Sequence, residues 1–227
     1  MIWIDSITKR YPGDVGIFDI DLKLENGQVV SVIGPNGAGK STFLNVLSGK
    51  ISADKGRILE DGVEIGLTDR RAMFGFMPDY YDVSATFTAW ELLNLVSDLR
   101  YSGNARKFIL EETDKVGLAE NINKKVSQLS LGNKKKLAML IAFMGESDTV
   151  LLDEPTNGID AEGVIYLKEK IEEFKTKGRS MVISSHILDF VDSVCDYHYF
   201  MKNGRIVYQT EKRELENIYK SIFMENK

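Results

Sequence analysis

Val29-Val30-Ser31-Val32-Ile33-Gly34-Pro35-Asn36-Gly37-Ala38-Gly39-Lys40-Ser41-Thr42-Phe43-Leu44-Asn45-Val46-Leu47 decides the fold of this chain. It reads as an apolar strand, a glycine-rich loop and a helix. Gly34, Gly39, Lys40 and Ser41 occupy the fixed positions of G-x-x-x-x-G-K-[ST], and between a strand and a helix that pattern is a phosphate cradle. Gly37 and Gly39 let successive backbone N–H groups turn toward one anion, and the helix adds its positive end. Lys40 supplies a cation for the β/γ oxygens, Ser41 offers a hydroxyl that can ligate Mg²⁺, and Asn36, Ala38 and Thr42 complete the expected contacts. The ligand expected is ATP or GTP. A glycine turn that merely caps a helix is the plainer alternative, and the full set of fixed positions with correct flanks weighs against it.

With 227 residues, 43% of them hydrophobic, the chain can bury a substantial core as one large domain or as a domain with an inserted lobe. Its 29 Lys+Arg and 34 Asp+Glu leave a formal charge of −5, which argues against a duplex-wrapping surface, so no nucleic-acid partner is expected. The single Cys195 cannot form an internal disulfide and reads as a core thiol in a reducing compartment. Met1-Ile2-Trp3-Ile4-Asp5-Ser6 carries no basic n-region or long apolar segment, so no export signal is visible. The longest apolar stretch, Leu137 to Met144, is far short of the about 20 residues that cross a bilayer. Any membrane role therefore needs a partner.

Phe18, Ile20, Leu22 and Leu24 alternate as a half-buried strand, and Ile2 with Ile4 suggests another beside it, an antiparallel opening. Thr149 to Asp153 and Met181 to Ser185 are short apolar runs separated by Val164, Leu167, Ile171 and Phe174 at helical spacing. Strand, helix, strand implies a parallel pair, with ligand chemistry at the carboxyl ends of the strands. From about Asp79 to Glu146 the texture is helical: Leu92, Leu93, Val96 and Leu99 form one stripe, and Leu137, Leu140, Ile141 and Met144 another. This segment is expected to be a helical lobe inserted in a single domain spanning 1–227. Tyr197 to Met201 and Ile206 to Tyr208 flank Asn203-Gly204, a hairpin signal, and the tail to Lys227 is charged and helix-like.

Val150-Leu151-Leu152-Asp153-Glu154 is an apolar strand ending in adjacent carboxylates. Beside a phosphate cradle that suits a division of labour: Asp153 holds Mg²⁺, and Glu154 orients or deprotonates the water that attacks the γ-phosphate.

At these residues the chain resembles the ATP-binding cassette (ABC) family, from about Trp3 to Tyr208. Leu152-Asp153-Glu154-Pro155-Thr156-Asn157-Gly158-Ile159-Asp160 is similar to the family's Walker B strand and D-loop, with Ile159 where leucine is more frequent. Ser184-Ser185-His186 resembles its switch segment, whose imidazole contacts the γ-phosphate. Leu129-Ser130-Leu131-Gly132-Asn133 falls where the family commonly carries Leu-Ser-Gly-Gly-Gln. Ser130 can cap a helix and Gly132 permits close approach, so this is an anion site that by resemblance engages the γ-phosphate held by an opposite subunit. Lys134-Lys135-Lys136 reads as a solvated first turn, although three cations there oppose the helix dipole. Tyr11 aligns with the aromatic that stacks on adenine. Asp79 stands where a glutamine usually links metal and attacking water to the helical lobe; a carboxylate there resembles cassettes that serve bacterial exporters of drugs, peptides or polysaccharides, and direct metal contact by Asp79 is expected.

The resemblance implies an α/β P-loop NTPase fold: an ABC-type nucleotide-binding domain with an antiparallel β subdomain, an inserted helical lobe at about 79–146 and a C-terminal hairpin and tail at about 197–227. It implies an ATPase with ATP and Mg²⁺ as cofactors, working as a head-to-tail dimer with a second ABC ATPase subunit. The location implied is cytoplasmic, peripheral on the inner face of the membrane through separate transmembrane permease subunits. The docking surface is expected near Phe76 to Leu99, where Trp90, Leu92 and Leu93 are as consistent with core as with contact. A soluble mechanochemical ATPase acting on ribosomes or DNA is the alternative; such relatives usually carry two cassettes or a coiled coil, and neither is visible here. A binding module that barely hydrolyses fits poorly with Asp153, Glu154 and His186 together, and Asn133-Lys134-Lys135-Lys136 lacks the aspartate of guanine readers.

Overall fold

The alternating residues at the start of the chain form an antiparallel pair, β1 (Ile2–Tyr11) and β2 (Val15–Leu24). The apolar run before the glycine loop is β3 (Val29–Ile33), and the loop opens directly into α1 (Lys40–Leu47). These belong to a computed structural model that describes residues 1–79, 86–101, 103, 105–145, 147–211 and 213–224. Next come β4 (Lys55–Glu60), β5 (Val63–Glu64), α2 (Leu67–Met73) and β6 (Phe74–Met77). A helical stretch follows, α3 (Ala89–Tyr101), α4 (Arg106–Lys115) and α5 (Leu131–Phe143). The chain then returns to strand–helix alternation with β7 (Thr149–Asp153), α6 (Ala161–Thr176), β8 (Ser180–Ser185) and α7 (Leu188–Val194). It closes with β9 (Tyr197–Lys202), β10 (Arg205–Thr210) and α8 (Leu215–Phe223).

The strands make two sheets: an antiparallel one in the order β2-β1-β4-β5 and a six-stranded one in the order β10-β9-β3-β8-β7-β6. In the second, β9, β3, β8, β7 and β6 run parallel and only β10 is antiparallel. Both faces of that sheet are covered, so β3, β7 and β8 are buried along their whole length, mostly apolar residues rather than an alternation. Val30, Val32, Leu151 and Val182 pack toward α1 and the antiparallel sheet, while Val29, Ile33, Val150, Leu152, Met181 and Ile183 pack toward α5, α6 and α7. Because β3, β8 and β7 are parallel neighbours, the loops after all three emerge at one sheet edge.

Several expectations need correcting. Leu99 is 76% exposed, because the line Leu92, Leu95, Leu99 turns away from the core after Leu92. The stripe Leu137, Leu140, Ile141, Met144 is buried as expected, yet α5 is buried on every side from Lys135 onward, so no solvent face separates the stripe from the rest. Lys135 and Lys136 are buried rather than solvated, each ion-paired to a carboxylate that the sequence places far away. Glu146, the expected end of the helical segment, and residues 225–227 of the tail lie outside the described residues. Among the described residues no helix is long and apolar enough to cross a membrane.

His198 on β9 sits opposite Ser31 on β3, is 1% exposed and shares a 2.7 Å hydrogen bond through Nδ1 with Ser31 Oγ. Burial holds its imidazole below the ordinary value of 6.5, with Asp192 and Asp196 pulling the other way and Arg213 adding to the depression. The unfolded chain then binds a proton that the folded chain resists, so this contribution is complete above about pH 6.5 and shrinks as pH falls toward the lower folded value. We expect the melting temperature of His198→Gln to depend less steeply on pH between about 7.5 and 5.5 than that of the parent chain. Parallel slopes in calorimetry at both ends of that range would remove His198 from this role.

Candidate functional site

The cradle is held open by backbone geometry. Gly37 and Gly39 have φ of 81° and 107°, in the left-handed region that a side chain disfavours, and Gly39 is the residue from which α1 departs. A cavity of about 380 Å³ lies in front of it, lined by Val15 and Gly16, the loop from Asn36 to Thr42, Asp79, Glu154 and Asn157. The loop is braced from behind by the β9–β10 turn: Gly204 N–H donates to Ala38 O at 2.8 Å, and Gly204 O accepts from Phe18 N–H at 2.8 Å. A Cβ on Gly204 would stand 2.2 Å from Gly16 O at a φ of +73°, so this contact between the turn and the cradle requires glycine. Nothing in the local sequence around Asn203-Gly204 signals that second role.

Lys40 folds back over its own loop, donating to Gly34 O at 2.7 Å and Pro35 O at 3.3 Å, and its Nζ lies 3.0 Å from Glu154 Oε1. Both side chains are buried, and Oε1 is off hydrogen-bond alignment, so the attraction is Coulombic. Glu154 Oε2 meets His186 Nδ1 at 2.9 Å. Glu154 takes a φ of 47°, uncommon for a residue with a Cβ, and its N–H is held by Ser184 O at 3.1 Å and Ser184 Oγ at 3.0 Å. The same Ser184 hydroxyl donates to Asp153 Oδ1 at 2.5 Å. Burial raises the Asp153 carboxyl above the usual range; hydrogen bonds from Ser184 and Ser41 oppose this, while Asp79 and Glu154 push it further up. A hydroxyl and a buried carboxylate side by side are hard oxygen donors, the set that suits Mg²⁺ shared with phosphate oxygens. Among the described residues no three His, Cys, Asp or Glu converge as a self-sufficient metal cage. Phosphate and water would therefore supply the remaining ligands.

Asp79 also faces the cavity, but its Oδ1 is engaged at 2.7 Å by Lys135 Nζ, which donates as well to Glu154 O at 3.0 Å. Lys136 pairs at 2.8 Å with Asp160 Oδ2, and Asp160 Oδ1 accepts from Gly163 N–H at 2.9 Å as the N-cap of α6. Sequence reading missed both lysines. The available signal was the cluster of cations at a helix N-terminus, where the macrodipole disfavours them unless carboxylates compensate.

Ser130 and Gly132 are elsewhere. Ser130 is the exposed N-cap of α5, its Oγ accepting from Asn133 N–H at 3.3 Å, and Gly132 packs against Gly158, whose carbonyl oxygen a Cβ would approach to 2.8 Å. Neither lines the cavity of its own chain. Tyr11 is 41% exposed at the end of β1 and pairs across the hairpin with Val15, which does line the cavity, though Tyr11 itself does not.

Residues 17–157 match the sequence profile of the family described as "ABC transporter". The chain is similar to the lantibiotic transport ATP-binding protein SrtF of Streptococcus pyogenes, 34% identical over 218 residues that cover 96% of this chain and 94% of the relative. It is similar too to the petrobactin import ATP-binding protein YclP of Bacillus subtilis, at 30% identity over 96% of this chain and 92% of that protein. A solved dimeric bacterial ABC transporter cassette, MJ0796, superposes with a TM-score of 0.82 at 25% identity, covering 92% of this chain and 98% of that one.

Removing one partner of a buried ion pair strands the other. Lys40→Ala is expected to destabilise the nucleotide-free chain by about 3–5 kcal/mol in chemical denaturation. It should also weaken ATP binding about 10–100-fold through loss of a charged hydrogen-bond donor. Adding Glu154→Gln should restore stability without restoring affinity. Unchanged binding in a calorimetric titration of Lys40→Ala would contradict the cradle assignment.

Proposed function

The chain belongs to the ABC transporter family as an ATP-binding ATPase subunit, and from that premise we propose that it acts in a head-to-tail pair with a second cassette, docked on separate transmembrane permease subunits. One observation carries the reading. The cradle opens into a cavity that contains neither Ser130 nor Gly132, while Ser130 caps α5 at the surface with its N-terminus facing solvent. A triphosphate in the cradle therefore meets a signature segment only when another chain supplies one. MJ0796, a cassette of the same fold, is dimeric.

In this reading the N–H groups of Gly34 and of Asn36 to Thr42, with Asn36, Gly37, Ala38 and Gly39 at the turn, hold the phosphates, and Lys40 leaves Glu154 to neutralise the β/γ oxygens. Tyr11 stacks on the adenine from the cavity rim. Ser41, Asp153 and Asp79 would hold Mg²⁺, which would supply charge neutralisation on the phosphate oxygens. Glu154, freed from Lys40, accepts the proton of the attacking water, and His186 orients its carboxylate through the Nδ1 contact while reaching the γ-phosphate. Ser130 and Gly132 of the facing chain close over the same phosphate. Cleavage removes the bridge, and the pair separates, which shifts the conformational population of the permease.

Residues 79–146 serve as the lobe that docks the permease within a single domain, and 197–227 as the hairpin and tail. The exposed apolar residues of α3, Leu95 and Leu99, offer the contact, since Leu92 and Leu93 are buried and Trp90 is partly covered, stacked against Arg106. The chain works in the cytoplasm on the inner face of the membrane. Export is the direction we favour, from the carboxylate at Asp79 and from the 34% identity to SrtF; YclP, named for import, is less similar. The relatives described above are named for transport or import, which supports a transporter subunit over the mechanochemical alternative.

Glu154→Gln should bind ATP, hydrolyse it at least about 100-fold more slowly and accumulate an ATP-dependent dimer in light scattering. Ser130→Glu in that background should remain monomeric, and a persistent dimer would refute the signature assignment. Tagged chain extracted from membranes in detergent should carry a stoichiometric permease. Leu99→Asp should release that permease while changing stability by no more than about 0.5 kcal/mol.

A further inference from the structure

Lys135 lies on α5 with 4% exposure, yet its ammonium reaches two places that belong to different parts of the chain. One is Asp79 Oδ1, at 2.7 Å, on the segment that follows β6; the other is the main-chain oxygen of Glu154, at 3.0 Å, at the end of β7. We propose that Lys135 is a positioning residue for ATP hydrolysis, tying the cavity acid Asp79 to the backbone of Glu154 so that the helical segment and the reacting carboxylate keep a fixed relation.

Packing alone does not account for an ammonium here. Taking one out of water costs several kcal/mol. An apolar side chain of equal volume would fill the space without that penalty. What the ammonium alone provides is a donor to both acceptors at once.

Glu154 needs such support. Its left-handed backbone, φ 47°, persists only where neighbours over-determine it. Ser184 holds the N–H side and Lys135 the C=O side, so both peptide groups of Glu154 are fixed and its carboxylate is aimed at the cavity. Lys135 also neutralises Asp79, whose charge otherwise acts against Asp153 in a site that must accept a polyanion. Displacement of Asp79 by a docked partner would pull on Lys135 and so on Glu154.

This inference rests on the assignment of Glu154 to the hydrolytic step, so Glu154→Gln is measured beside the variants of Lys135. In the full chain, Lys135→Met is expected to lower kcat about 10-fold or more while the ATP dissociation constant changes less than about 3-fold. Lys135→Arg should recover most of the rate, because a guanidinium can reach both acceptors. Asp79→Asn should lower kcat in the same way, and the double variant Lys135→Met/Asp79→Asn should be no slower than the slower single variant. Without nucleotide, Lys135→Met should speed amide hydrogen exchange across residues 153–157. Multiplicative losses in the double variant, or a Lys135→Met protein with lowered melting temperature and unchanged kcat, overturn the proposal. If Lys135→Met does not fold, the half-exposed Asp79 decides the matter: an unaltered kcat in Asp79→Asn overturns it equally. Full turnover in Glu154→Gln would instead remove the premise and leave the tie without a reaction to position.

Discussion

A buried carboxylate facing a buried ammonium organises this molecule. Lys40 and Glu154 stand 3.0 Å apart, both nearly removed from solvent, and they come from opposite sides of a long stretch of chain. Such a pair is stable only when further hydrogen-bond partners satisfy what the two charges leave open. Gly34 O and Pro35 O do so for Lys40, and His186 does so for Glu154. The arrangement is possible because β3, β8 and β7 are parallel neighbours, which delivers the cradle, the imidazole and the paired carboxylates to one sheet edge. In the proposed function a triphosphate entering the cavity competes for Lys40 and thereby releases Glu154. On that proposal, binding and readiness for hydrolysis are coupled through one electrostatic contact.

Around that contact the structure adds restraints from distant segments. The β9–β10 turn braces the cradle through Gly204 and Ala38, and the same turn joins the two sheets through Phe18. On the other side α5 sends Lys135 to Asp79 and Glu154, and Lys136 to the cap of α6. The cradle is thus buttressed by the end of the chain, and the carboxylate strand by its middle. The signature end of α5, in contrast, stays exposed and turned away from its own cavity. Support within the chain and a helix N-terminus left exposed at its surface both fit the proposed clamp between two chains.

Much of this was legible beforehand. The strand, glycine loop and helix around Lys40, the largely apolar β3 and β7, the adjacent carboxylates at the end of β7 and the Asn-Gly hairpin are local patterns whose physics is complete within a few residues, and each appears in the fold as read. Leu99 and the lysines of α5 misled for a common reason. Helical spacing marks which residues share a face, but not where that face stops being covered, and charge predicts exposure only when no carboxylate waits opposite. The partners of Lys135 and Lys136 lie 56 and 24 residues away, beyond any local pattern.

The sequence by itself determined the phosphate chemistry and the α/β class, because a glycine loop between strand and helix and an apolar strand ending in Asp-Glu carry their constraints in backbone conformation and side-chain type. Only the tertiary structure decided which charges meet. Lys40 with Glu154, Lys135 with Asp79 and Gly204 against the cradle are set by strand order and helix packing. Coulombic and steric contacts depend on distance in space, and distance in space is what a linear chain does not state until it has folded.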